Sequence, residues 1–165
     1  KEFHGHRVVL AMHSTWFLKA FTNGLKESTA NIIEIHDDDP EVFEIMLKFM
    51  YGGDYDAIAS EYVSEDRKYL HVDVHQLADK YDVSELCEKA GRAFGKTFKT
   101  LKDTKDLENT IREYYDMAPR SQTTIGEVMA AAVLANPTFL KSKNIDQLIR
   151  EFPNFATDLL IVQRS

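Results

Sequence analysis

The chain has 165 residues, enough to bury a core without help from disulfides or metal. It is 44% apolar, 11% aromatic and 28% charged, a composition that excludes a disordered polar chain. The 27 acidic and 20 basic side chains leave a net charge of -7, which argues against direct nucleic-acid binding because phosphate contacts need excess Lys and Arg.

The single cysteine, Cys87, excludes an internal disulfide framework and points to a reducing compartment. No apolar run approaches the ~18 residues of a membrane span, so no membrane partner is expected. The opening Lys1-Glu2-Phe3-His4 has no signal-peptide character and no Met, and the chain reads as a fragment or ordered part of a larger protein.

In chain order, residues 6–12 form a short helix or turn. Ser14 then has the character of an N-cap for a helix over 15–21, with Phe17 and Phe21 four apart on one face. Asn23-Gly24 stops it, with Gly24 in the left-handed position past the helix end. Ile32-Ile33-Glu34-Ile35-His36 alternates from Ile33 onward and is β-branched, which predicts a half-buried strand. Asp39 caps the next helix and Pro40 occupies its first turn, where a missing N–H costs nothing. That helix, over 41–50, is apolar nearly all round and is expected to be central in the core. Gly52-Gly53 ends it.

Residues 51–66 carry five acids and no base and read as a solvated loop. Residues 69–77 lead into a helix bearing Leu77, Ala78 and Tyr81. A second begins at Ser84 and runs to about Phe94, with Leu86, Ala90 and Phe94 on one stripe. Residues 106–116 form an amphipathic helix closed by Pro119. Thr124-Ile125-Gly126-Glu127 fits a capping box with Glu127 as its third helical residue, opening a helix that stops before Asn136-Pro137. The last helical piece spans 145–151.

Candidate chemistry is sparse. His4-x-His6 and His71-x3-His75 have zinc-like spacings, but neither pair has a neighbouring Cys or an obvious third ligand. A metal-dependent hydrolase built on these histidines is therefore the weaker reading. His13-Ser14 lacks an orienting acid and an oxyanion hole, and capping accounts for Ser14. Cys87 lies within an apolar helix and reads as an inert thiol. Asp37, Asp38 and Asp39 precede a helix and serve its dipole. Lys96, Lys99, Lys102 and Lys105 recur every third residue and form a solvated face. No catalytic, cofactor-binding or metal-ligating residue is assigned. Large apolar side chains, capped helices and little polar chemistry are the profile of an interaction module.

The segment from Phe3-His4-Gly5-His6-Arg7 through Leu10 to Ser14-Thr15-Trp16-Phe17 resembles the opening of a BTB/POZ domain. The likeness continues through Phe21, Glu27-Ser28, Ile33-Glu34-Ile35, Asp39-Pro40, Phe43 and Phe49-Met50-Tyr51-Gly52. It resumes at Leu77-Ala78-Asp79-Lys80-Tyr81-Asp82-Val83, Leu86, Ala90 and Phe94. The Leu-Ala-Asp-Lys-Tyr segment and the tail from Asn109-Thr110-Ile111 are most similar to the fungal branch.

The resemblance implies an α/β (α+β) fold: a small sheet flanked by a cluster of short helices over residues 1–95. An all-helical C-terminal extension over 96–165 would follow. It implies no enzyme, no cofactor, and a nuclear or cytoplasmic protein that homodimerises and binds protein partners. Many such domains tie substrates to a cullin-type ubiquitin ligase, while others scaffold transcriptional regulators. A smaller linker of the elongin type is a lesser option. Adaptors carry an apolar-x-Glu element after the Ser-x-x-Phe helix. Leu25-Lys26-Glu27 matches it, which makes Leu25, Glu27 and the preceding Phe21 the implied cullin contacts. Arg7 matches the basic position of a charged pocket. The family's first strand and any helix ahead of it have no counterpart before Phe3, and the stretch from Asp54 to Val74 is longer than in most animal members.

Overall fold

The computed structural model describes residues 1–24, 30, 32–62, 69–101, 103–117 and 123–165. Helices α1 (Arg7–His13), α2 (Thr15–Thr22), α3 (Pro40–Met50), α4 (Tyr55–Ser60) and α5 (Leu70–Lys80) come first. They are followed by α6 (Ser84–Phe98), α7 (Thr104–Met117), α8 (Thr124–Leu134), α9 (Pro137–Leu140), α10 (Lys143–Glu151) and α11 (Pro153–Arg164). The chain divides into two compact units, Lys1–Ala90 and Gly91–Ser165.

The expected sheet is not there. The described residues are 73% helical and contain no strand, which overturns the α/β reading. Residues 32–36 keep the exposure pattern of a strand: Ile33 and Ile35 are half-buried, Glu34 and His36 exposed. Among the described residues no segment pairs with them. A lone strand leaves its N–H and C=O groups unpaired, and two faces of alternating polarity cannot replace the missing ladder. Asp37, at φ 68°, ends the segment in the left-handed region.

In the first unit α3 is the centre. Val42, Phe43, Ile45, Met46, Phe49 and Met50 are all buried, as its nearly continuous apolar surface requires. Each such side chain contributes roughly 1.5–3 kcal/mol on burial. Asp39 starts the helix by accepting from Glu41 N at 2.8 Å and Val42 N at 3.4 Å, and Pro40 sits in the first turn. α3 packs mainly against α5, where Leu70, Val72, Val74, Leu77 and Ala78 are buried. α1 and α2 pack on each other across Ser14, which is both the end of one and the cap of the other. Gly24, at φ 75°, takes the left-handed position past α2, as its sequence context requires.

The acidic stretch holds a surprise. Asp54 accepts from Ala57 N at 3.0 Å and starts α4, which buries Tyr55, Ile58 and Ala59. The excess of acid hid a one-face apolar triplet. α6 extends to Phe98, a turn beyond the expected end, because Ala90, Phe94 and Phe98 continue one buried stripe.

In the second unit α8 packs chiefly against α11, and α10 joins α11. Its core holds Ile111, Ile125, Met129, Val133, Phe139, Leu148 and Phe155. The cap of α8 is Thr123, one residue earlier than the capping-box reading places it. Its hydroxyl accepts from Gly126 N at 3.0 Å. α9 and α11 were not expected from the pattern. Each carries Pro in its first turn, and Asn136 caps α9 by accepting from Phe139 N at 3.0 Å.

Candidate partner-binding surface

The surface of interest is built on an aromatic cluster in the first unit. Tyr81, at the end of α5, meets Trp16 edge-on at 4.9 Å, stacks on Phe17 at 5.5 Å and meets Phe43 edge-on at 5.6 Å. Such ring pairs add about 0.5–1.5 kcal/mol each beyond the area they bury. The Tyr81 hydroxyl donates to Asp38 Oδ2 at 2.6 Å, and Lys80 Nζ reaches Asp38 Oδ1 at 2.6 Å. Burial, then the hydrogen bond to Asp38, pushes the Tyr81 hydroxyl up, so it remains a donor at ordinary pH. The cluster fixes α2 against α3 and α5.

Phe21 lies at the outer edge of that cluster. It is half-buried and stacks on Phe17 at 5.8 Å. The Arg7 guanidinium lies 5.1 Å from the Phe21 ring centroid, and Arg7 also donates to the Ala30 carbonyl. A cation over an aromatic face at an exposed site is worth about 0.5–1 kcal/mol. The structure thus brings Arg7 and Phe21 together, a contact no local pattern announces. Leu25 and Glu27 lie outside the described residues, as do Lys102 and Pro119 and the acids Glu65 and Asp66.

The other sequence candidates resolve into structural roles. Ser14 is buried, accepts from Phe17 N at 3.0 Å and donates to the Tyr81 carbonyl at 2.5 Å. Thr15 donates to Asp82 Oδ2 at 2.7 Å, so two adjacent hydroxyls pin α2 to the turn after α5. Asp38 and Asp39 are drawn to different partners, Tyr81 and the α3 N-terminus. Cys87 Sγ donates to the His75 carbonyl at 3.7 Å.

Among the histidines, His6 pairs with the Tyr51 hydroxyl at 2.9 Å and His71 with the Tyr55 hydroxyl at 2.7 Å. His75 is 5% exposed. Among the described residues, no group of three His, Cys, Asp or Glu side chains converges on a metal position. Lys96, Lys99 and Lys105 are exposed. No described helix is long and apolar enough to cross a membrane.

The second unit contains a feature that sequence patterns missed. Tyr115 donates to Asp158 Oδ2 at 2.7 Å, and Asp158 is only 1% exposed. The two residues are 43 apart in the chain, and a single polar residue on an apolar helix face gives no local sign of its partner. Burial first, then Asp158, pushes the Tyr115 hydroxyl up.

This chain belongs to the BTB/POZ domain family, which it matches over residues 1–97. It is 34% identical over 92 residues to TD and POZ domain-containing protein 4 of Mus musculus, covering 54% of this chain and 23% of that protein. It is 28% identical over 97 residues to Kelch repeat and BTB domain-containing protein 4 of Homo sapiens, covering 59% and 16%. A BTB/POZ domain-containing protein of Arabidopsis thaliana shares 44% identity over 52 residues, covering 32% and 6%. The chain spans under a quarter of the length of these relatives. Family membership makes it a protein-interaction module.

Proposed function

We propose that this chain is the interaction domain of a substrate adaptor for a cullin-type ubiquitin ligase. On this reading it is a binding module and not an enzyme, and it works without a cofactor. The single observation that carries the reading is the Leu25-Lys26-Glu27 element following α2 in a BTB/POZ chain. An apolar anchor beside a carboxylate supplies both burial and orientation at a partner surface. Phe21 is the third contact of this reading, and the Arg7 guanidinium lies against its ring. Residues 1–95 act as the BTB/POZ domain, and 96–165 as a helical extension of the fungal type. Homodimerisation through the first part, in the nucleus or cytoplasm, completes the proposal.

The test is saturable binding to a cullin N-terminal region by isothermal titration. Replacing Leu25 and Glu27 together should weaken it more than tenfold. Unchanged affinity removes the ligase role. A chain that dimerises in equilibrium sedimentation yet never binds the cullin is instead a scaffold or oligomeriser linked to transcription.

A further inference from the structure

Among the asparagines of the chain, only Asn23 is followed by glycine. Asn31, Asn109, Asn136, Asn144 and Asn154 precede Ile, Thr, Pro, Ile and Phe. The difference is chemical. An asparagine side chain can be attacked at Cγ by the main-chain nitrogen of the residue after it. A β-branched or aromatic side chain crowds that nitrogen, and Pro has no N–H to lose. Gly has no Cβ, so its nitrogen is the least shielded the chain can offer.

The structure gives this pair room to react. Asn23 is exposed and caps the C-terminal end of α2, its N–H donating to the Lys19 carbonyl at 2.9 Å. Gly24 is exposed and stands at φ 75°. Among the described residues, no heavy atom beyond its chain neighbours lies within 4 Å of where a Cβ would be. Asn109, Asn144 and Asn154 lie inside α7, α10 and α11, where helical dihedrals hold the main chain. Asn23 rests at ψ 0°. Ring closure must turn that torsion, and fraying of the last helical turn supplies the movement.

We propose that Asn23 is a self-modification site that converts slowly to aspartate and isoaspartate through a succinimide. Base removes the Gly24 N–H proton, and the nitrogen bonds to Asn23 Cγ. The Cγ–Nδ2 bond breaks and ammonia leaves. Water then opens the ring. Cleavage at Cγ gives aspartate. Cleavage at the main-chain carbonyl carbon gives isoaspartate, whose backbone runs through Cβ and Cγ and is one methylene longer. Water is the only reactant consumed. Either product sets a carboxylate at the C-terminal end of α2, where the helix dipole is negative. In the sequence the altered residue leads straight into Leu25-Lys26-Glu27. The chemistry stands whether or not that element meets a cullin; only its effect on that contact rests on the adaptor reading.

The test incubates the full 165-residue chain at pH 8 and 37 °C for weeks, digests it at acidic pH and maps the fragments by mass spectrometry. Labelling by isoaspartyl methyltransferase counts isoaspartate, and a peptide of residues 18–29 is the unfolded reference. Asn23 should gain the mass of an amide-to-acid exchange at least tenfold faster than any other asparagine, with isoaspartate the larger product, and more slowly at pH 6. Asn23→Gln, whose ring would need six members, should lose the label. An Asn23 that stays intact while the peptide converts overturns the proposal. So does conversion of Asn23 no faster than that of the other asparagines. Against a cullin fragment that binds the fresh chain, the converted chain should bind at least threefold more weakly, and incubated Asn23→Gln should be unchanged. Equal affinity overturns the effect on that contact, whereas a fresh chain that does not bind counts against the adaptor reading alone.

Discussion

Replacing Gly126 by Ala sets two physical effects of opposite sign against each other. Gly126 lies in the first turn of α8, where Ala is ordinarily the better helix former by about 1 kcal/mol. Here a methyl group would stand closer than 3.0 Å to Asp158 Oδ2 and 2.9 Å from the Tyr115 hydroxyl. Both groups are deep in the second unit and cannot yield into solvent. Crowding a packed site costs about 1–3 kcal/mol. Disturbing the Tyr115–Asp158 hydrogen bond costs a further 1–3 kcal/mol, roughly, because a buried charge-assisted bond is weakened. Less the propensity gain, Gly126→Ala should destabilise the second unit by about 1–5 kcal/mol. Hydrogen exchange of the α8 and α11 amides measures it where the loss falls, since the only Trp, Trp16, lies in the first unit. In an Asp158→Ala background the nearer of the two obstacles is gone and only the Tyr115 hydroxyl remains at 2.9 Å, so the same substitution should cost markedly less. A coupling of at least about 1.5 kcal/mol between the two positions is expected. Stabilisation by Gly126→Ala in both backgrounds would refute the reasoning, and with it the claim that this glycine makes room for the buried pair.

Ser14→Ala removes a cap on α2 and a donor to the Tyr81 carbonyl, and should lower the stability of the first unit by about 1–3 kcal/mol in urea melts followed by Trp16 fluorescence. Tyr81→Phe keeps the three ring contacts but strips Asp38 of a donor. It should cost about 1 kcal/mol, whereas Tyr81→Ala opens a cavity and should cost about 3–5 kcal/mol by the same assay. Zinc added in tenfold excess should leave the melting temperature unchanged, since His6 and His71 are each engaged with a tyrosine hydroxyl. A rise of several degrees that a chelator reverses would show that a metal site does form.

The helices were legible where caps and one-sided apolar spacing coincided. Asp39-Pro40 ahead of 41–50 marked α3, and Ser14 marked α2. Legibility failed where composition masked spacing, as with Tyr55, Ile58 and Ala59 inside an acidic run. It failed more deeply at Ile32-Ile33-Glu34-Ile35-His36. There the alternation correctly reports which residues half-bury, yet a strand is a property of two segments and the second is not written in these five residues. The α/β expectation came from the family likeness and met the same obstacle. For the surface, Arg7 and Phe21 were each singled out on separate grounds, and only the folded chain places one on the other. The same holds for Tyr115 and Asp158. A pattern along the chain identifies a face; it does not say what will cover that face.

The two hydroxyl tethers of α2 also bear on how the domain assembles during synthesis. Ser14 and Thr15 reach partners 67 positions later in the chain, Tyr81 and Asp82. Closing so long a loop carries a large entropic cost before any contact rewards it. α1 and α2 leave the ribosome early with Ser14 able to cap its own helix, but their anchorage waits until α5 has emerged and docked. A nascent chain stalled short of Tyr81 therefore holds Trp16 and Phe17 uncovered, and is the species in which chaperone capture or misassembly should concentrate.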